Sequence, residues 1–268
     1  KLTNSSLTVT STGASKANIQ LIADGEADLA IVQNDVMHYA STGTDLFEAE
    51  GKYDTFSSVC GMYDETVQLV TTNANIKSVK DLKGKTVCVG DAGSGTEFNA
   101  KQVLAAYGMS FDDITVNNAS SGDSADSLKD GKIDAAFVVA GAPTTAITDL
   151  STSKQAYLVS MDAKHIAKLQ ETSPYYAAAT IPAGTYSGMD ADTTTVSVLS
   201  VVLANNSVSE DDVYNFTKSL FDGAQNNADA HAKYKELDLE TATSITSVPY
   251  HAGAAKYYKE QNVEVPTA

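Results

Sequence analysis

The stretch from Gly90 to Glu97, GDAGSGTE, has the residue types and spacing that suit a small anion. Its three glycines turn the chain between an apolar run, Thr86 to Val89, and a helical pattern in which Ala100, Val103, Leu104 and Tyr107 recur at i, i+3, i+4 and i+7. Ser94 and Glu97 stand at capping-box spacing, which leaves the other first-turn N–H groups and the positive end of the helix dipole facing the loop. A tight strand-to-helix turn without a ligand accounts for the glycines equally well. No lysine follows the second glycine, as a Walker A loop needs, and no third glycine completes GxGxxG, which argues against a nucleotide.

The remaining chemistry-bearing residues are scattered. His38, His165, His231 and His251 show no HxxxH spacing and no neighbouring cysteine, so neither a metal nor a cofactor is expected. There is no GxSxG elbow. The adjacent carboxylates Asp64 and Glu65 fit a solvated turn or a structural hydrogen bond better than acid/base catalysis, and no enzyme is expected. What the pattern does supply is a set of polar loops where predicted strands end: Ser11, Thr12 and Gly13; Gln33; Tyr63; Ser94, Gly95 and Thr96; and Thr144. Hydroxyls, amides and free N–H groups of this kind make a recognition surface for a small polar ligand carrying one or two anionic groups.

Composition narrows the partners. In 268 residues, 18 Lys+Arg stand against 34 Asp+Glu, a net charge of -16, so nucleic acid is repelled and is not expected as a partner. Every basic residue is lysine, which removes the bidentate guanidinium clamp as a way to hold a carboxylate. Cys60 and Cys88 lie in apolar strand-like runs and read as buried thiols, with a single disulfide as the alternative. No apolar run approaches the ~20 residues that span a bilayer.

The elements that must position these loops repeat. From Leu7 the order is strand (LTVT), turn, helix to Ala23, Asp24-Gly25, then strand (LAIVQ); from Ile114 it is strand (ITVN), turn, helix to Lys129, Asp130-Gly131, then strand (AAFVV). Asp24, Gly25, Asp28, Ala30 and Val32 match Asp130, Gly131, Asp134, Ala136 and Val138. The second copy follows the strand, loop and helix of residues 86–108, whereas little precedes Leu7, so a further βα unit is expected ahead of it. The polar stretch 73–85 reads as one hinge crossing and the stretch around Pro182 and Gly184 as the return. Two strands are expected around Gly61 to Thr66. The whole reads as α/β, with parallel strands alternating with helices in two lobes, 1–80 with 183–268 and 81–182, and a ligand cleft between them.

The segments STGASKANIQLIADGEADLAIVQND, KSVKDLKGKTVCVGDAGSGTE, LKDGKIDAAFVVAGAPT and YYAAATIPAGTY, in this order through nearly the whole chain, resemble the TAXI family of solute receptors for TRAP transporters. The resemblance implies a bilobal type II periplasmic-binding-protein fold and a non-enzymatic, extracytoplasmic receptor, monomeric and periplasmic or lipid-anchored at the cell surface. It implies a small carboxylate or amino-acid ligand, such as glutamate or glutamine, handed to TRAP transporter membrane subunits. It places the cleft residues at Ser11, Thr12, Gly13, Gln33, Tyr63, Ser94, Gly95 and Thr96. The chain departs from the family in lacking arginine and the usual first βα unit. A receptor for an ABC importer, a ligand-sensing module, or an enzyme on the same scaffold are the rival readings.

Overall fold

The two Asp-Gly steps each end a helix and lead into a strand, and the structure, a computed structural model that describes residues 7–227 and 232–267, is built on that repeat. His231 lies outside the described residues. The chain runs through α1 (Ser15–Ala23), β1 (Leu29–Gln33), α2 (Asn34–Thr42), β2 (Phe56–Thr71), β3 (Thr86–Cys88), α3 (Gly95–Ala106), β4 (Thr115–Asn117), α4 (Ser121–Lys129) and β5 (Ala135–Ala140). It continues with α5 (Thr145–Ser153), β6 (Tyr157–Leu158), α6 (Ala163–Thr172), β7 (Ala177–Ile181), β8 (Thr193–Asn205), α7 (Glu210–Asn227), α8 (Leu239–Ala242) and α9 (Ala252–Glu260). The fold is α/β, as expected, but the sheet is mixed: β3 runs parallel to β4 and β5, while β1–β8, β2–β5, β2–β6 and β7–β8 pair antiparallel. The strands follow one open path, β1-β8-β2-β5-β3-β4, with β6 on β2 and β7 on β8.

Two compact units divide the chain, Lys1–Tyr63 with Leu199–Ala268 and Asp64–Val198. The steps between them fall inside β2 and β8 and not at residues 80 and 183. Burial explains the position. Ile76, Val79 and Leu82, in the stretch read as a polar hinge, pack in the core of the second unit with Val67, Val87 and Leu104, and Tyr186 and Met189 are buried in that unit too. Gly61 does not end a strand either. β2 is continuous through Gly61 to Thr66, and the glycine is needed because a Cβ there would meet the Thr241 carbonyl oxygen at 2.5 Å.

The second unit is ordered around β3 and β5. Ala100, Val103, Leu104 and Tyr107 of the α3 pattern are all buried against the sheet. Asp162 caps α6 by accepting from the His165 amide, and Ser120 caps α4 through the Asp123 amide, as N-cap chemistry requires. In the first unit the expected strand at Leu7 to Thr10 does not form: these residues pair with nothing among the described residues, and Leu7 and Val9 are 69% and 91% exposed. An alternating apolar pattern becomes a strand only where a neighbour supplies the ladder bonds.

Burial settles the cysteines: both are free, and exclusion of water pushes the Cys60 thiol up to about 12 and raises that of Cys88. The first unit closes with α9 packed on α7, joined by Tyr214 to Glu260 at 2.9 Å and by the stacked Phe221 and Tyr257 rings. His251 sets the start of α9. Its Nδ1 accepts from the Gly253 amide at 3.2 Å, so Nε2 carries the proton and donates to the Val208 carbonyl at 3.1 Å. Burial holds its pKa below the ordinary 6.5, against a weaker opposing pull from Glu210, and burial lowers His38 as well, against Asp45.

A histidine whose folded pKa lies below its unfolded one takes up its proton more readily when unfolded, so stability falls as pH drops from about 6.5 toward the folded value. The urea midpoint of the protein is expected to be lower at pH 5.5 than at pH 7.5. His251→Asn, which keeps an N-cap acceptor, is expected to flatten that difference; an undiminished difference would remove His251 as its source.

Candidate functional site

The loops after β3, β4 and β5 leave the same edge of the sheet, because these three strands are parallel neighbours. The first is the Gly90–Glu97 loop. Gly90 and Gly93 take φ of 92° and 76°, and a Cβ on Gly90 would stand 2.7 Å from the Thr96 Cβ, so the loop folds tightly over the helix start. Ser94 is buried and its Oγ accepts from the Glu97 amide at 3.1 Å, as expected of the N-cap of α3. The reciprocal bond differs from a capping box. The Glu97 carboxylate accepts from the Gly93 amide at 2.7 Å, while the Ser94 amide is committed to the Asp91 carbonyl at 3.0 Å. The left-handed turn at Gly93 brings that earlier amide to the carboxylate.

Asn118, in the loop after β4, ties the arrangement together. Its Nδ2 donates to the Gly90 carbonyl at 3.0 Å and to Glu97 Oε1 at 2.9 Å. The start of α3 therefore already holds one internal carboxylate. Two amides, Gly95 and Thr96, keep no hydrogen-bond partner among the described residues, and the Thr96 hydroxyl likewise. Fewer first-turn donors stay unengaged here than the glycine pattern suggests.

Thr144, after β5, belongs to an internal network. Its Oγ1 accepts from Gln68 Nε2 at 2.8 Å and donates to the Gly141 carbonyl at 3.0 Å, and its amide donates to the Tyr186 hydroxyl at 2.9 Å. Tyr186 in turn donates to Gln68 Oε1. Burial pushes the Tyr186 phenol above its ordinary range, so it stays a donor. Gln68 and Tyr186 were not singled out from sequence. The signal was present in Gln68, a polar residue at a fully buried strand position between Val67 and Leu69.

In the first unit, the Gln33 amide donates to Ser15 Oγ at 3.2 Å, which brings the 11–15 turn to the end of β1. Gln33 is buried, whereas Ser11, Thr12 and Gly13 are exposed, and Thr12 Oγ1 donates to Asn18 Oδ1 at 2.5 Å. Tyr63, at the end of this unit's share of β2, lies under Lys233, whose ammonium is 5.9 Å from the ring centroid and 2.6 Å from Glu236. Lys233 is the cation that the sequence reading missed; nothing in its local sequence marks it. Asp64 and Glu65 sit within β2 and not in a turn. Among the described residues no His, Cys, Asp and Glu group is placed to hold a metal ion, and no helix is long and apolar enough to cross a membrane.

The family model of the NMT1-like family matches residues 1–261. The chain belongs to the NMT1-like family. Among solved structures it is similar to the periplasmic aliphatic sulphonate binding protein SsuA from Escherichia coli, at 17% identity over 94% of this chain and 81% of that one, with a TM-score of 0.49. It is also similar to the alkanesulfonate-binding protein SsuA from Xanthomonas axonopodis pv. citri, at 17% identity over 93% and 78%, TM-score 0.48. An ancestral arginine-binding protein bound to arginine matches at 19% identity over 81% and 73%, TM-score 0.44.

The Gln68, Thr144 and Tyr186 ring gives this NMT1-like chain a testable anchor for the loop after β5. Tyr186→Phe leaves Gln68 Oε1 and the Thr144 amide without that partner in a buried place, and a loss of about 1–3 kcal/mol in urea unfolding is expected. A loss below about 0.5 kcal/mol, the range of a neutral surface change, would show that the network does not hold the loop.

Proposed function

We propose that the chain is a bilobal, type II periplasmic-binding-protein receptor, extracytoplasmic, that binds a small carboxylate and delivers it to a TRAP-type transporter. Glutamate, glutamine or a related amino acid is the proposed ligand class. The observation that carries the reading is the start of α3, where the Gly95 and Thr96 amides have no hydrogen-bond partner among the described residues and lie beside the Thr96 hydroxyl at the carboxyl edge of parallel strands. With no guanidinium in the chain, a carboxylate has to be taken by such neutral donors or by lysine. The proposed binding residues are Ser94, Gly95, Thr96 and Thr144 in one unit and Ser11, Thr12, Gly13, Gln33 and Tyr63 in the other. Thr144 acts by placing its loop, and Gln33 and Tyr63 read the ligand's remaining polar groups.

The transport partner separates the two receptor readings. Reconstituted uptake that follows a sodium gradient supports the TRAP assignment, and uptake that follows ATP assigns the chain to an ABC importer.

In a thermal-shift screen against glutamate, glutamine, aspartate, dicarboxylates and keto acids at ~100 times Kd, binding adds about 2.7 kcal/mol to stability. A rise with one or two members is the expected result, and a flat screen would overturn the ligand class. With the ligand so found, Thr96→Val is expected to weaken binding by about 1–3 kcal/mol by removing one buried hydroxyl contact; unchanged affinity would take Thr96 out of the site.

A further inference from the structure

The ladder between β1 and β8, both in the first unit here, is apolar on both sides at four successive rungs: Leu29 faces Ala204, Ala30 faces Leu203, Ile31 faces Val202 and Val32 faces Val201. The last rung, at the carboxyl end of β1, sets Gln33 opposite Ser200. Directly opposed residues of an antiparallel pair share one face of the sheet with Cβ atoms about 5 Å apart, so an amide and a hydroxyl lie side by side. Gln33 is 4% exposed and Ser200 0%. Ser200 Oγ has no hydrogen-bond partner among the described residues. An unsatisfied buried hydroxyl costs free energy that the alanine or valine of the other rungs avoids, so packing alone does not account for a serine here.

The surroundings of the rung define what it can receive. The Leu199 amide donates to Asn34 Oδ1 at 3.1 Å and the Gln33 amide to Ser15 Oγ at 3.2 Å, which hold β8 and β1 at the start of α2. Lys16, next to Ser15, is committed to Glu50 at 2.7 Å and to the Leu46 carbonyl at 2.9 Å, and Lys233 is paired with Glu236. Asp35, two residues beyond Gln33, is buried, and its carboxylate accepts from the Val36 amide at 2.8 Å. We infer that Gln33 and Ser200 read a carboxamide, so that within the amino-acid class proposed above the ligand is glutamine or asparagine in preference to its acid. The inference rests on that receptor reading and adds Ser200 to it. A carboxamide both donates and accepts; the Gln33 side chain answers it in both senses, and a hydroxyl can do either. A carboxylate only accepts, and at this rung it meets two neutral side chains and a neighbouring acid, which is the repulsive half of the discrimination.

Calorimetric titration of the protein with glutamine, asparagine, glutamate and aspartate at pH 7.5 tests this. The better amide is expected to bind about tenfold or more tighter than its own acid. Ser200→Ala is expected to narrow that ratio to about threefold or less by weakening amide binding, while its urea midpoint equals or exceeds that of the parent, because an unsatisfied hydroxyl leaves a buried place. Acids that bind as tightly as the amides overturn the inference and leave the receptor reading standing. An unchanged ratio in Ser200→Ala also overturns it, whatever happens to stability. Should Ser200→Ala not fold, Ser200→Cys, close in size and a weak hydrogen-bond former, decides on the same ratio. Binding of none of the four withdraws the amino-acid class, and this inference with it.

Discussion

Asp134 fixes three strands at once. Its carboxylate and its amide bind Thr86 at the head of β3, and its carbonyl accepts from Thr71 Oγ1 at the end of β2, 2.6 Å away. The register of β5 between β2 and β3 follows, and with it the level at which the loops after β3 and β5 leave the sheet. A carboxylate bonded to a backbone amide at a strand head gains more than a neutral contact would. The polar loops lie at the other end of these strands, so their placement depends on a residue that touches none of them.

The loops themselves are rigid for a related reason. The Gly90–Glu97 loop is closed by its own Ser94 and Glu97 and by Asn118 from the next crossover, and the Thr144 loop by Gln68 and Tyr186. Side chains that are already bonded lose little freedom when a ligand arrives. With a net charge of -16 and Glu97 closing its own loop, attraction contributes little to any anion approaching here.

Much of the fold was legible because its signals are local. The Asp-Gly steps, the Ser94 N-cap and the 3.6-residue pattern of α3 each depend on a few adjacent residues, and each stands where it was read. The misreadings came from long-range packing. Gly61 reads as a turn until Thr241 is seen against it, and residues 73–85 read as a polar linker until Ile76, Val79 and Leu82 are seen in a core. Leu7 to Thr10 reads as a strand from pattern alone, although pairing decides strand formation. In the site, the Ser94 cap was legible from spacing, but the turn of Glu97 to Gly93 and the placing of Lys233 on Tyr63 were not, since neither follows from neighbours in sequence.

Burial of both cysteines has a practical side. The Cys60 thiol, pushed up to about 12, is almost wholly protonated at neutral pH, and Cys88 is shielded in the same way, so neither offers a thiolate to a labelling reagent. Both native thiols are therefore expected to react slowly with a maleimide without any residue being removed. A single cysteine introduced at an exposed loop position becomes the one reactive handle, and a dye placed there reports from a known point on an otherwise unaltered chain.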